Sequence, residues 1–230
     1  REWEKQRAWA DAGKCYQNCL AADPNYLPAL TAMANLMTRS ARYQEALTFA
    51  TRALSIDTYD AAANFVYGVV NARLKKYTDA IDGFSIASAA LEYRAASYVE
   101  MSKLFLLQNQ PGRAKEYATK AAVTNPMQVP AFELLAVIAR LQADPMAADK
   151  ALAQLEVLDP LDHLVRFEKY LAHPSDENAT AFTGMIRTEL THEAYLELAA
   201  WYLNLGLNTE VEKLLSLGPD QPEINYWRAW

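Results

Sequence analysis

The sequence predicts an all-α fold, a right-handed α-solenoid of antiparallel helix hairpins with about six to seven repeats and a partial repeat at each end. Three observations predict it. Ala12, Ala46, Ala80, Ala114 and Ala148 stand 34 residues apart, as do Ala34, Gly68, Ser102 and Ala136. Pro24, Thr58, Glu92, Pro126 and Pro160 keep the same interval at the junctions between segments. Within one period, ARYQEALTFATRALSID sets Ala46, Ala50 and Ala53 at i, i+4 and i+7, on one narrow helix face.

The elements follow in order. Residues Arg1–Gln6 read as the tail of a first helix with Trp3 at its aromatic position; Trp9 falls in a turn and Ala10–Ala22 form the partner helix. Asp23-Pro24 ends that partial repeat (residues 1–26), because the residue before proline is pushed out of the α region. Four full repeats follow, 27–60, 61–94, 95–128 and 129–162. The first of them is expected to carry helices Leu30–Ser40 and Glu45–Ile56 about a turn near Tyr43. Pro28 and Pro130 fall in first turns, where the missing N–H costs nothing. Pro111 and Pro145 take the turn positions that Trp9, Tyr43 and Tyr77 hold elsewhere. An irregular repeat, 163–191, is cut short by Pro174; Ser175 is its expected N-cap, and Phe182, Met185, Ile186 and Leu190 form the stripe of its next helix. The period loses about five residues here before a repeat at 192–225, with Gly206 in its turn; 226–230 opens a further helix. Both ends therefore read as cut through repeats of a longer chain.

Composition narrows the function classes. Hydrophobic residues make up 52% of 230, and the 7 glycines are few, favouring helices over a turn-rich β fold. A net charge of −6 argues against nucleic acid, whose phosphates call for clustered Lys and Arg. No apolar run reaches the length of a membrane span, so no membrane insertion is expected. Cys15 and Cys19 sit at i, i+4, neither a redox nor a zinc spacing; Cys19 shares the register of Ala53, Ala87 and Ala121, so both read as small buried residues. His163, His173 and His192 open or close helices, and no HExxH, glycine-rich phosphate loop or GxSxG elbow occurs. No cofactor, metal or catalytic group is expected.

The 34-residue period, its small–small positions and its junction prolines resemble the tetratricopeptide repeat. The phrasing LSIDTYDAAANFVYG, LEVLDPLDHLVRFEKYL and THEAYLELAAWYLNLG also resembles the C-terminal repeat region of large bacterial proteins with an uncharacterised, carbohydrate-associated N-terminal region. The resemblance implies that first helices line a concave groove. Its positions in this chain are Thr31, Asn35, Thr38 and Arg39; Phe65, Val69, Ala72 and Arg73; Val99, Lys103, Leu106 and Leu107; and Glu133, Val137 and Arg140. It further implies a non-enzymatic scaffold that binds a peptide or protein segment, with Arg39, Arg73, Lys103 and Arg140 favouring an acidic or C-terminal carboxylate ligand. Of the Lys/Asn/Arg clamp used by chaperone-tail-binding members, only Asn35 is matched. The alternative is a structural arm supporting a carbohydrate-active domain, or self-association through the C-terminal end by Trp201, Trp227 and Trp230.

Overall fold

Left-handed turn residues punctuate the fold at the sequence's own interval. Ala41 (φ 57°), Lys75 (60°), Asn109 (55°) and Ala143 (54°) are 34 residues apart, and Gly206 (75°) follows five residues short of two further periods. Each closes a helix in the same way. The next residue's N–H donates back across the turn to a carbonyl five positions earlier, Arg42 to Met37, Lys76 to Asn71, Gln110 to Phe105, Asp144 to Ala139 and Leu207 to Tyr202, at 2.8–3.1 Å. The turn residue's own N–H reaches the carbonyl three positions earlier. These paired bonds satisfy the carbonyls that a helix end leaves open. Three of the five positions are not Asn or Gly, so sequence alone did not mark them.

The computed structural model describes residues 2–186 and 190–229, with side chains from Ala8 onward; the expected roles of Trp3 and Trp230 lie outside the described residues. Fourteen helices and no strand are present among them, and the fold is an all-α solenoid of helix hairpins. The chain divides into two compact units, Arg1–Met101 and Ser102–Trp230.

The first unit contains α1 (Glu2–Ala22), α2 (Leu27–Arg39), α3 (Tyr43–Ile56), α4 (Ala61–Arg73), α5 (Tyr77–Ala87) and the start of α6 (Leu91–Leu107). Neighbours in sequence pack as hairpins, α2 on α3 and α4 on α5, while α2 also meets α4 directly. The alanine face works as its spacing requires: Ala46, Ala50 and Ala53 have no exposed surface, and neither do Ala80 and Ala87. Helix α5 lies so close to α4 that a Cβ on Gly83 would stand 2.8 Å from the Asn64 carbonyl oxygen and 3.0 Å from the Gly68 nitrogen. A Cβ on Gly68 would meet the Phe84 ring at 2.8 Å. Buried Asn64 ties the helix start down, its amide donating to the carbonyls of Thr58 (2.8 Å) and Asp60 (2.9 Å).

The second unit continues through α7 (Pro111–Thr124), α8 (Val129–Leu141), α9 (Pro145–Leu158), α10 (His163–Ala172), α11 (Asp176–Thr183), α12 (Thr191–Leu203), α13 (Asn208–Leu217) and α14 (Pro222–Ala229). Here the small position filled by Ser102 uses its hydroxyl, which donates to the Ala114 carbonyl at 2.8 Å and joins α6 to α7. Where the period shortens, aromatic rings replace methyl contacts. Phe167 packs on Phe182 (centroids 5.3 Å) and Tyr202 (5.5 Å), and Phe182 on Tyr195 (5.6 Å). Burying Phe167 and Phe182 contributes about 2–3 kcal/mol each. Ser175 caps α11, its hydroxyl accepting from the Asn178 N–H at 3.1 Å.

Several local expectations are corrected. Trp9 lies inside α1, not in a turn, since no proline falls between Glu4 and Lys14 and no left-handed residue is present among the described residues of the helix. Cys15 and Cys19 are exposed: among the described residues α1 packs mainly on α2, whereas α3, which buries Ala53 in the register of Cys19, is covered by both α2 and α4. Pro111 and Pro145 begin helices, and the turns fall two residues earlier at Asn109 and Ala143; likewise α3 begins at Tyr43. Pro222 opens α14, a proline in a first turn. Helix α11 stops at Thr183, with the Gly184 N–H donating to the Thr180 carbonyl; Met185 and Leu190 are exposed, and only Ile186 of the expected extension is buried.

Candidate protein-binding face

In the first unit, α2 and α4 lie side by side. Between them opens a hollow of about 470 Å³, walled by Leu27, Thr31 and Asn35 of α2, by Ala62 and Phe65 of α4, and by Tyr93 of α6. The aromatic wall is pre-ordered: Phe65 stands 5.5 Å from Phe84, edge to face, and 5.5 Å from Tyr93. The Thr31 hydroxyl is buried and has no hydrogen-bond partner. On the other side of α2, a second hollow of about 240 Å³ is lined by Trp9 and Tyr16 of α1 and again by Asn35. Arg39 lies beside it, its guanidinium 4.5 Å from the Trp9 ring centroid, a cation–π contact that holds an exposed cation in place. Asn35 is exposed and belongs to both hollows. Val69 is half-buried, and Arg73 is exposed in the last turn of α4.

On α6, Val99 (3% exposed) and Leu106 (8%) are packing residues with little surface to offer a ligand.

In the second unit, Arg140 is engaged and is not a free groove cation. Its Nε donates to Glu168 at 2.6 Å; its Nη2 donates to Glu168 at 3.2 Å and to Glu210 at 3.1 Å. The Tyr202 hydroxyl donates to Glu168 at 2.6 Å. The network joins α8, α10, α12 and α13, and Glu168 is only 2% exposed. Burial acts against the guanidinium's charge, but the bonds and charge of Glu168 outweigh it and leave Arg140 above its ordinary value. Burial, reinforced by Glu168, pushes the Tyr202 hydroxyl well above 10, so it remains a donor.

Of the cations expected on this face, Arg140 is the one held by carboxylates in the second unit. Burial pushes the Glu133 carboxyl up to about 7, with Asp162 adding to the rise, while Lys103 and a hydrogen bond from Trp201 pull it down. Burial likewise raises Asp162, which still accepts from the Leu164 N–H (2.8 Å), and lowers His163.

Sequence reasoning missed Glu168, Glu210, Tyr202, Tyr93 and Trp9 as determinants of these faces. Glu168 carried a signal, lying four residues after buried Leu164 on the apolar side of α10. Glu210 carried none, since it sits in a first turn as Glu45 and Asp79 do, where an acid favours the helix dipole. Among the described residues no group of three or more His, Cys, Asp or Glu is placed to hold a metal ion, and no helix is long and apolar enough to cross a membrane.

These hairpins, with their repeated turns and small–small contacts, form an array with the fold seen in solved tetratricopeptide-repeat structures. Solved structures share the fold. PilF of Pseudomonas aeruginosa is 17% identical with a TM-score of 0.69, covering 99% of this chain and 92% of its own. PilW, a type IV pilus biogenesis factor, is 20% identical with a TM-score of 0.67, covering 93% and 94%. YrrB, described as a TPR protein with an unusual peptide-binding site, is 17% identical with a TM-score of 0.59, covering 95% and 100%. At these identities the likeness is one of fold. No protein-family model matches the chain, and no curated protein matches it.

Proposed function

We infer that this chain is a non-enzymatic scaffold that binds a peptide or protein segment along its first helices, as part of a larger bacterial protein. The observation that carries this reading is the open hollow between α2 and α4. It is large enough to accept bulky side chains, and its wall is mainly apolar with a few polar groups. The binding described for YrrB supports the same use of the fold. A photo-crosslinking amino acid at Asn35 or Ala62, compared with one at exposed Thr48 or Thr51 of α3, tests it against a pooled peptide library. Crosslinks from the first-helix positions alone are expected; equal capture from α3 would refute the groove.

A second reading, self-association through the C-terminal end, is favoured by a cavity of about 910 Å³ lined by Leu203, Val211, Leu215 and Trp227. Trp227 is 37% exposed there. Sedimentation of Trp227→Ala against the parent chain tests it, because a concentration-dependent dimer that persists in the variant would remove this contact from consideration.

A further inference from the structure

We propose that the α2–α4 hollow recognises a two-part motif in an extended segment: a bulky apolar side chain, and internal acidic side chains two to four residues away. This rests on the groove reading above and makes it specific. The apolar part follows from the walls, Leu27, Ala62, Phe65 and Tyr93 around about 470 Å³, a volume that takes a leucine or an aromatic ring. The wall also carries polar groups, Asn35 on its rim and Asp60, whose carboxylate already accepts from the Ala63 N–H at 2.7 Å.

The acidic part follows from charge and register. Arg39 and Arg73 occupy the same position in successive repeats, each exposed in the last turn of its first helix. At about 1.5 Å rise per residue, Arg39 lies about 6 Å along α2 from Asn35, and Arg73 about 12 Å along α4 from Phe65. An extended chain advances about 3.3 Å per residue, so two to four residues separate the buried side chain from the cations. Arg39 is already held against Trp9, which lowers the entropy lost when a carboxylate pairs with it. The two guanidiniums arise from different helices, whose axes pack about 8–10 Å apart. They therefore suit a run of acidic side chains better than one terminal carboxylate.

The test uses the full chain and labelled dodecapeptides, acetylated and amidated, with a central leucine and an Asp-Asp pair three residues on. Companion peptides carry serine for leucine, lysine for aspartate, or a free C-terminal carboxylate as their sole acid. The complete motif is expected to bind at least about tenfold tighter than any companion. Arg39→Glu should weaken it about tenfold and turn the preference toward the lysine peptide, and Ala62→Trp, which obstructs the hollow, should weaken every peptide. Should Ala62→Trp melt early, Asn35→Trp on the exposed rim replaces it. Equal binding of aspartate and lysine peptides, or tightest binding of the C-terminal carboxylate, overturns the motif while leaving the groove standing if Ala62→Trp still blocks it. Binding that ignores both variants, or no binding of any peptide, overturns the groove as well.

Discussion

Replacing Arg140 by methionine would strand two carboxylates in the interior of the second unit. The guanidinium donates three hydrogen bonds, two to Glu168 and one to Glu210. Methionine keeps the packing of the stem and removes the charge. Glu168, 2% exposed, would retain only the Tyr202 hydroxyl, which cannot neutralise it. Glu210, 8% exposed, would lose its only cation among the described ion pairs. Removing one partner of a buried pair costs about 3–5 kcal/mol, because the remaining charge is desolvated without compensation. In a chain of this length each kcal/mol moves a melting midpoint by about 2–4 °C, so a fall near 10 °C is expected. Since repeat arrays lose structure locally, hydrogen exchange should rise first in α8, α10, α12 and α13. The decisive comparison is Arg140→Met/Glu168→Gln. The glutamine carries no charge and still accepts from Tyr202, so it should recover part of the loss. A cost below about 1 kcal/mol for the single variant, or a second change that adds to the loss, would refute the view that stranded charge governs this core.

Other expectations follow from the same geometry. Glu133 has its folded-state value raised from 4.5 to about 7, so the folded chain holds a proton that the unfolded chain releases, and stability should fall as pH rises from about 4.5 to 7. At about 1.4 kcal/mol per unit the full effect is on the order of 3 kcal/mol; urea melts at pH 5 and 8 should show it, and Glu133→Gln should flatten it. Gly83→Ala should destabilise despite alanine's better helix propensity, because its Cβ meets the Asn64 carbonyl, while Gly112→Ala, with nothing within 4 Å, should gain about 0.5–1 kcal/mol in a thermal melt. Lys75→Gly should stabilise by a similar amount, since lysine there holds a left-handed conformation that glycine adopts freely. Ala80→Phe should cost about 1–3 kcal/mol by overpacking a position with no exposed surface, and an unchanged midpoint would contradict the packing described.

What could be read in advance was whatever depends on residue size at a fixed interval. Ala46, Ala80 and Ala114 are buried because a helix that presents only methyl groups can approach its neighbour closely, and their spacing was visible without coordinates. Turn geometry was less visible. The left-handed residues at 41, 75 and 143 are Ala, Lys and Ala, and no local preference selects them; the helix ends on both sides impose the conformation. The helical course of Trp9 was hidden by the same limitation, for its register matches Tyr43 and Tyr77 although no turn precedes it.

The site illustrates why periodicity identifies a face more readily than its chemistry. Asn35, Arg39, Phe65 and Arg73 could be assigned to one surface because each is fixed by its place within a repeat. The state of a charge depends on partners from other repeats. Arg140 lies in the last turn of its first helix, one register position before that of Arg39 and Arg73, and faces a glutamate 28 residues on and another 70 residues on. Both glutamates reach Arg140 from beyond Asp162, where the 34-residue interval no longer predicts what stands opposite what. In the second unit the charge of Arg140 therefore acts as a structural brace. Any ligand chemistry deduced by summing arginines along the array would overstate its attraction for acids, and the regular α2–α4 segment is where that attraction is best sought.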